Sequence, residues 1–320
     1  MIRLCVAVAL VLSMSALSKP KNTAEAARVL DQFLSGNLGL NPALNRIQFL
    51  GEEHYAAAEL CFALKRTSDR RQRGQLLEFL ASLGVKDPDV ERALLGSLAS
   101  DDTGEVMVAA RGLGRIKSAE AVKPLTGLLG NPMLGIRREA ARSLGELGKP
   151  AASAPLLKAA KTEGDLDVKI LMIVAAGRAG DKKQAPALEA FLKDSSESTR
   201  MAAAQGLCTL GSPKCGQFAA KLFASSNRDE RFQAVMLFDG ASAKVSAPSL
   251  TPMLADPDDK IRARAARILV QGGDPRRLEW LVLESAKAKG EVRLVYEDEL
   301  EKLRLSDEQR QAILKKAGLQ

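Results

Sequence analysis

Ile136-Arg137-Arg138-Glu139-Ala140-Ala141-Arg142-Ser143-Leu144-Gly145-Glu146-Leu147-Gly148 is the stretch of the chain that decides its fold. It reads as one helix carrying small residues, closed by a glycine suited to a left-handed C-terminal cap. Small side chains let a neighbouring helix approach closely, so this helix is built to lie against others.

Repetition supplies the neighbours. Arg137 heads a basic column with Lys169, Arg200, Arg231, Arg262 and Arg293, at steps of 31 residues after a first step of 32. Arg73 fits the column upstream, and Val106 occupies it in between. Three residues beyond each member comes an apolar position: Leu76, Ala109, Ala140, Met172, Ala203, Ala234, Ala265, Tyr296. Eight further on, Gly84, Gly148, Gly180, Gly211 and Gly273 end the first helix, with Lys117 and Ser242 as exceptions. Pro124, Pro155, Pro186 and Pro248 then fit the first turn of a second helix, where proline forfeits no backbone donor.

Each unit is therefore helix A, a tight turn, helix B and a loop. One such pair cannot bury both apolar stripes, and stacking supplies the core. The predicted fold is all-α: a right-handed α-solenoid of about eight antiparallel helix pairs over residues 69–305. Helical stretches at Ala24–Leu34, Pro42–Leu50 and Glu53–Arg66 place an N-terminal cap or degenerate repeat at 19–68, and the charged end of the chain predicts a C-terminal capping helix at 306–320.

The pattern resembles HEAT repeats of the short, phycobilisome-lyase-like type, whose first helix follows Asp/Asn-x(n)-Val-Arg-x-x-Ala-Ala-x-Ala-Leu-Gly. Ile136 to Gly145 and Ile261 to Ala266 match it best. The resemblance implies that Arg137, Arg200, Arg231 and Arg262 bond acidic or carbonyl groups between neighbouring repeats, in a ladder that Val106 interrupts. It implies little about chemistry, because such solenoids mostly present surfaces.

Composition narrows the function classes. The 320 residues are 46% hydrophobic and 27% charged, enough apolar material to exclude wholesale disorder. One Trp, two Tyr and one His leave little for stacked-base recognition or for histidine-based metal and acid/base chemistry, so neither a nucleic-acid partner nor a cofactor is expected. No Gly-x-Ser-x-Gly elbow, phosphate loop, dinucleotide fingerprint or His-Glu-x-x-His pattern occurs, and no small-molecule substrate is inferred. Glu52-Glu53-His54 reads as a solvated helix start rather than a metal site, because adjacent helical residues point in different directions.

Residues 1–18 read as a secretory signal: Arg3, an apolar run from Leu4 to Leu12, and the small-residue site Ala16-Leu17-Ser18 before Lys19. The expected product is exported, periplasmic or extracellular. Export would place Cys61, Cys208 and Cys215 in an oxidising compartment. Cys208 and Cys215 fall at facing ends of one unit's helices and read either as a disulfide or as two small buried thiols.

The clearest functional sign is charge asymmetry within a net +8 chain. The A-to-B turns carry Lys86, Lys117, Lys149, Lys182, Lys183, Lys214, Lys244, Arg276 and Arg277, while the B-to-A loops are mostly acidic. Helix capping explains the acidic loops better than the basic turns. Lys182, Lys183, Lys214, Lys244, Arg276 and Arg277 are accordingly the candidate binding residues. The expected function is an exported, non-catalytic scaffold or adaptor that binds a protein partner on the solenoid. The alternative is an envelope-binding module whose basic edge contacts anionic lipid or cell-wall polymer. A bilin-lyase-like enzyme would rest on fold alone.

Overall fold

The computed structural model describes residues 22–318, so the signal assigned to 1–18 lies outside the described residues. The chain opens with α1 (Thr23–Leu34), α2 (Leu40–Leu50) and α3 (Glu53–Arg66). Eight helix pairs follow: α4 (Arg70–Leu83) with α5 (Pro88–Ser97), α6 (Thr103–Arg115) with α7 (Val122–Leu128), α8 (Leu134–Leu147) with α9 (Ser153–Thr162), α10 (Leu166–Ala179) with α11 (Ala185–Phe191). The second half comprises α12 (Glu197–Leu210) with α13 (Pro213–Phe223), α14 (Arg228–Met236) with α15 (Ala243–Leu250), α16 (Asp259–Gln271) with α17 (Arg276–Lys287), and α18 (Gly290–Glu301) with α19 (Asp307–Lys316). The described residues contain no strand, and the predicted α-solenoid is the fold observed.

The even-numbered helices form one layer and the odd-numbered helices the other. Successive helices of the first layer run closely side by side from α4 through α12, whereas α5, α7, α9, α11 and α13 stand apart from one another. Residue size is the cause. Ala109, Ala140, Ala175 and Ala203 are fully or almost fully buried in the close-packed layer, and a Cβ placed on Gly145 would come within 2.9 Å of Ala175 Cβ. We call the close-packed layer inner and the other outer, and the wider spacing of the outer layer leaves grooves between its helices. Fully buried leucines at one register position, Leu80, Leu113, Leu144 and Leu207, belong to one apolar cluster that runs from Ala26 to Leu269.

The left-handed caps appear where expected, with φ of 61° at Gly148. Lys117 adopts the same geometry at φ 58° despite its Cβ, and its ammonium donates to the Glu146 carbonyl of the next unit. Ser242 does not: α14 stops at Met236 and Gly240 takes the left-handed turn at φ 82°. The second helix of that unit then starts early. Pro248 consequently lies inside α15 rather than in its first turn, where Pro124, Pro155 and Pro186 do lie in their helices.

At the N-terminal end α2 lies along α4 and α3 along α5, continuing the stack. Glu52 is buried and accepts a hydrogen bond from the Asn22 backbone at 3.2 Å, tying α1 to α3, while His54 is exposed. Cys208 and Cys215 form a disulfide, with Cα atoms 4.9 Å apart, between the end of α12 and the start of α13. Cys61 is a free thiol, and burial pushes its pKa up to about 11. Among the described residues no helix is long and apolar enough to cross a membrane.

Candidate functional site

The basic column is a set of clamps between units. Arg137 Nε and Nη2 grip both oxygens of Glu163 at 2.8 and 3.0 Å, while its Nη1 donates to the Asn131 and Pro132 carbonyls at 3.0 Å. One guanidinium thus holds the loop before its helix and the loop before the next unit. Arg231 repeats this on Asp256 and on the Ser225 and Ser226 carbonyls. Lys169 donates to Asp194 at 2.6 Å, and Arg73 grips Glu105. Bidentate charge-assisted pairs of this kind hold geometry as well as energy. Their effect on titration is direct: Arg137 holds Glu163 below the usual carboxylate range, and Lys169 does the same for Asp194.

Arg262 departs from the pattern, donating to the Asp256 carbonyl and the Tyr296 hydroxyl instead of a following acid. Arg200 departs further. Its Nη1 donates to the Asp194 and Ser195 carbonyls at 2.9 Å, but it forms no ion pair among the described residues. Where the other units place Glu163, Asp194 or Asp256, this one has Ser225.

The two edges of the solenoid now separate physically. Much of the acidic edge is used by structure: Asp102, Asp165 and Asp258 cap the helices they precede, and Glu163, Asp194 and Asp256 serve the clamps, while Asp101, Asp167, Glu197 and Glu230 have no ion-pair partner among the described residues. On the basic edge, Lys182, Lys183, Lys214 and Lys244 are exposed and make no ion pair among the described residues. Arg276 and Arg277 differ, because both engage the buried Asp274. The six predicted binding residues therefore divide into four unpaired lysines and two arginines tied to one carboxylate.

Sequence reasoning missed the inner face. On α10 the solvent side carries Leu166, 46% exposed, and the half-buried Ile170 and Val174, before Arg178 ends the row. The strip continues to Met201 on α12 and to Phe232 and Met236 on α14. There α12 and α14 do not run closely together, and a cleft of about 550 Å³ opens between them, with Ile170, Met201, Phe232 and Met236 as its apolar lining and Glu197, Ser198, Gln205 and Gln233 as its polar one. Arg228 and Arg264 stack on Phe232, with guanidinium carbons 5.4 and 5.5 Å from the ring centre. In three consecutive units the residue after the basic column member, Ile170, Met201 and Phe232, carried this signal in the sequence, whereas Arg138 follows Arg137.

The comparisons with known proteins agree with this architecture. A model of HEAT repeats matches residues 106–170 and 153–237. The complex of CpcE and CpcF of phycocyanin lyase from Nostoc sp. PCC7120 is similar in structure at 20% identity, with a TM-score of 0.51, covering 77% of this chain and 94% of that one. Human deoxyhypusine hydroxylase in complex with glycerol is a weaker likeness, at 19% identity and a TM-score of 0.35 over 80% and 98% of the two chains. No curated protein sequence matches the chain.

Proposed function

Because residues 106–237 carry HEAT repeats within a longer α-solenoid, we propose that this protein is an exported, non-catalytic scaffold that holds a partner protein against its inner face. The observation that carries the reading is the apolar strip from Leu166 to Met236. A helix apolar on its solvent side keeps surface in water that a partner would cover, and contiguous exposed patches of this kind mark interaction sites. The strip crosses three units, which suits an extended partner better than a small ligand. The similar Nostoc structure is a complex of two chains, a precedent for assembly by this fold. The Cys208–Cys215 disulfide supports the export part of the reading, since such bonds persist in oxidising compartments.

The test places a photo-cross-linking residue at Gln205 in the cleft and irradiates the protein in its native envelope. Expected is one dominant adduct, lost in an Ile170→Glu/Met201→Glu variant of unchanged helicity. An adduct pattern unaffected by those substitutions would refute the inner-face reading.

The four unpaired lysines support a second reading, an edge that contacts anionic envelope material. Sedimentation with phosphatidylglycerol vesicles should then fall in a Lys182/Lys183/Lys214/Lys244→Glu variant and weaken with salt.

A further inference from the structure

One clamp of the column lacks its acid. In Arg137 and Arg231, Nε and Nη2 together grip a carboxylate supplied 26 and 25 residues later. Arg200 is held in the same way from behind, by Nη1 on two loop carbonyls, yet its Nε and Nη2 have no partner among the described residues. Ser225 stands at the acid's position. Glu230, in the register position from which Glu105 reaches Arg73, makes no ion pair. The fork is thus set for a carboxylate by the fold that positions it elsewhere, and the described residues do not provide one.

Arg200 also lines a groove of about 510 Å³ between the outer helices α11 and α13, with Leu192, Lys214, Gln217, Phe218, Lys221 and Leu222. No carboxylate lines it. Lys214, Gln217, Phe218 and Lys221 follow helical spacing and share one face of α13. Lys214 and Lys221 stand two turns apart, about 10 Å along the axis. An apolar floor therefore lies between two basic ends, one of them a preformed planar fork.

We propose that this groove docks an acidic amphipathic helix of a partner protein. One carboxylate of that helix is gripped by Arg200 Nε and Nη2 in the position that Glu163 and Asp256 occupy in their units. Apolar side chains one turn on pack against Phe218, Leu192 and Leu222, and a second acid two turns on meets Lys214. The proposal rests on the reading of the protein as a scaffold for a protein partner, and adds a second contact on the outer face.

The probe is a fluorescent 14-residue peptide with glutamates seven positions apart and leucines three and four residues after the first, compared with its Gln counterpart. Both are titrated by polarisation into the full chain. The Gln peptide should bind at least about tenfold more weakly, as expected for loss of a hydrogen-bonded charge. Arg200→Gln should cost the acidic peptide a similar factor, and Arg200→Lys nearly as much, because it keeps the charge and loses the fork. Ser225→Asp should also abolish binding while raising the melting temperature, because it completes the clamp from within. Arg138→Gln, outside the groove, should change nothing. Equal affinity for the two peptides, or binding that survives both Arg200→Gln and Ser225→Asp, overturns the proposal. So does binding of phosphatidylglycerol vesicles through Arg200 without binding of the peptide. Cross-linking at Gln205 that persists while the peptide fails would sink the groove alone and leave the inner-face reading standing.

Discussion

Gly177 of α10 and Gly206 of α12 meet so closely that a Cβ placed on Gly177 would lie 2.5 Å from the Cα of Gly206. Both are buried, and the atom in the way is backbone, which cannot rotate aside. The contact fixes how tightly the inner layer stacks at the centre of the solenoid. Gly177→Ala improves intrinsic helix propensity by about 1 kcal/mol, but overpacking against backbone costs about 1–3 kcal/mol and pushes two units apart. The net expectation is a loss of stability in denaturant unfolding. Gly127→Ala on α7, where nothing lies within 4 Å, should stabilise slightly or leave the midpoint unchanged.

Glu299 of α18 is 4% exposed and receives Arg264 at 2.9 Å, Arg267 at 2.6 Å and Lys302 at 3.1 Å, joining α16 to α18. Arg267 is itself 6% exposed. Glu299→Ala leaves that guanidinium buried and poorly compensated, and should destabilise by about 3–5 kcal/mol. Thermal melting of the variant checks this, and an Arg267→Met/Glu299→Leu pair should recover much of the loss.

Cys208 and Cys215 close a short loop between α12 and α13. A cross-link of this span removes enough freedom from the unfolded chain to stabilise by about 2–3 kcal/mol in the chain-entropy account. Cys208→Ala/Cys215→Ala should lower stability by that order. Thiol titration of the unreduced chain from Lys19 onward, which lacks Cys5, should find one free thiol, Cys61, and only after denaturation, since that residue is buried.

Acid should loosen the clamps between units. The carboxyls of Glu163, Asp194, Asp258 and Asp274 are all held below their ordinary values: Glu163 by its hydrogen bonds from Arg137, Asp194 by Lys169, Asp258 by Arg228 against the opposing effect of burial, and Asp274 by Arg276. A depressed carboxyl contributes stability that is complete above its unfolded pKa, about 4, and is lost as pH falls through the folded value. The melting temperature should therefore be flat from neutrality down to about pH 5 and fall below about pH 4. Arg137→Gln should flatten part of that acid limb. Glu139 runs the other way. Burial raises its pKa and its Oε1 has no hydrogen-bond partner, so Glu139→Gln should raise the melting temperature at pH 7 and have little effect at pH 3.

The sequence by itself determined the helices, the two-layer unit and the place of the basic column, because those follow from local spacing, while the column's clamping role was what the resemblance to HEAT repeats implied. Alanines three residues after Arg137, Arg200 and Arg231 can only serve close stacking, and a glycine at the end of a helix needs only its own φ. It also separated the acidic loops from the basic turns, since capping is a local interaction. Tertiary structure decided the rest. The disulfide required the facing directions of Cys208 and Cys215, which spacing leaves open. The pairing of Arg276 and Arg277 with Asp274 required side-chain reach across a turn. The unpaired fork of Arg200 and the cleft beside Met201 arise from what the neighbouring unit fails to supply. A serine where the register calls for an acid is visible in the chain at Ser225, but its consequence exists only where two units meet.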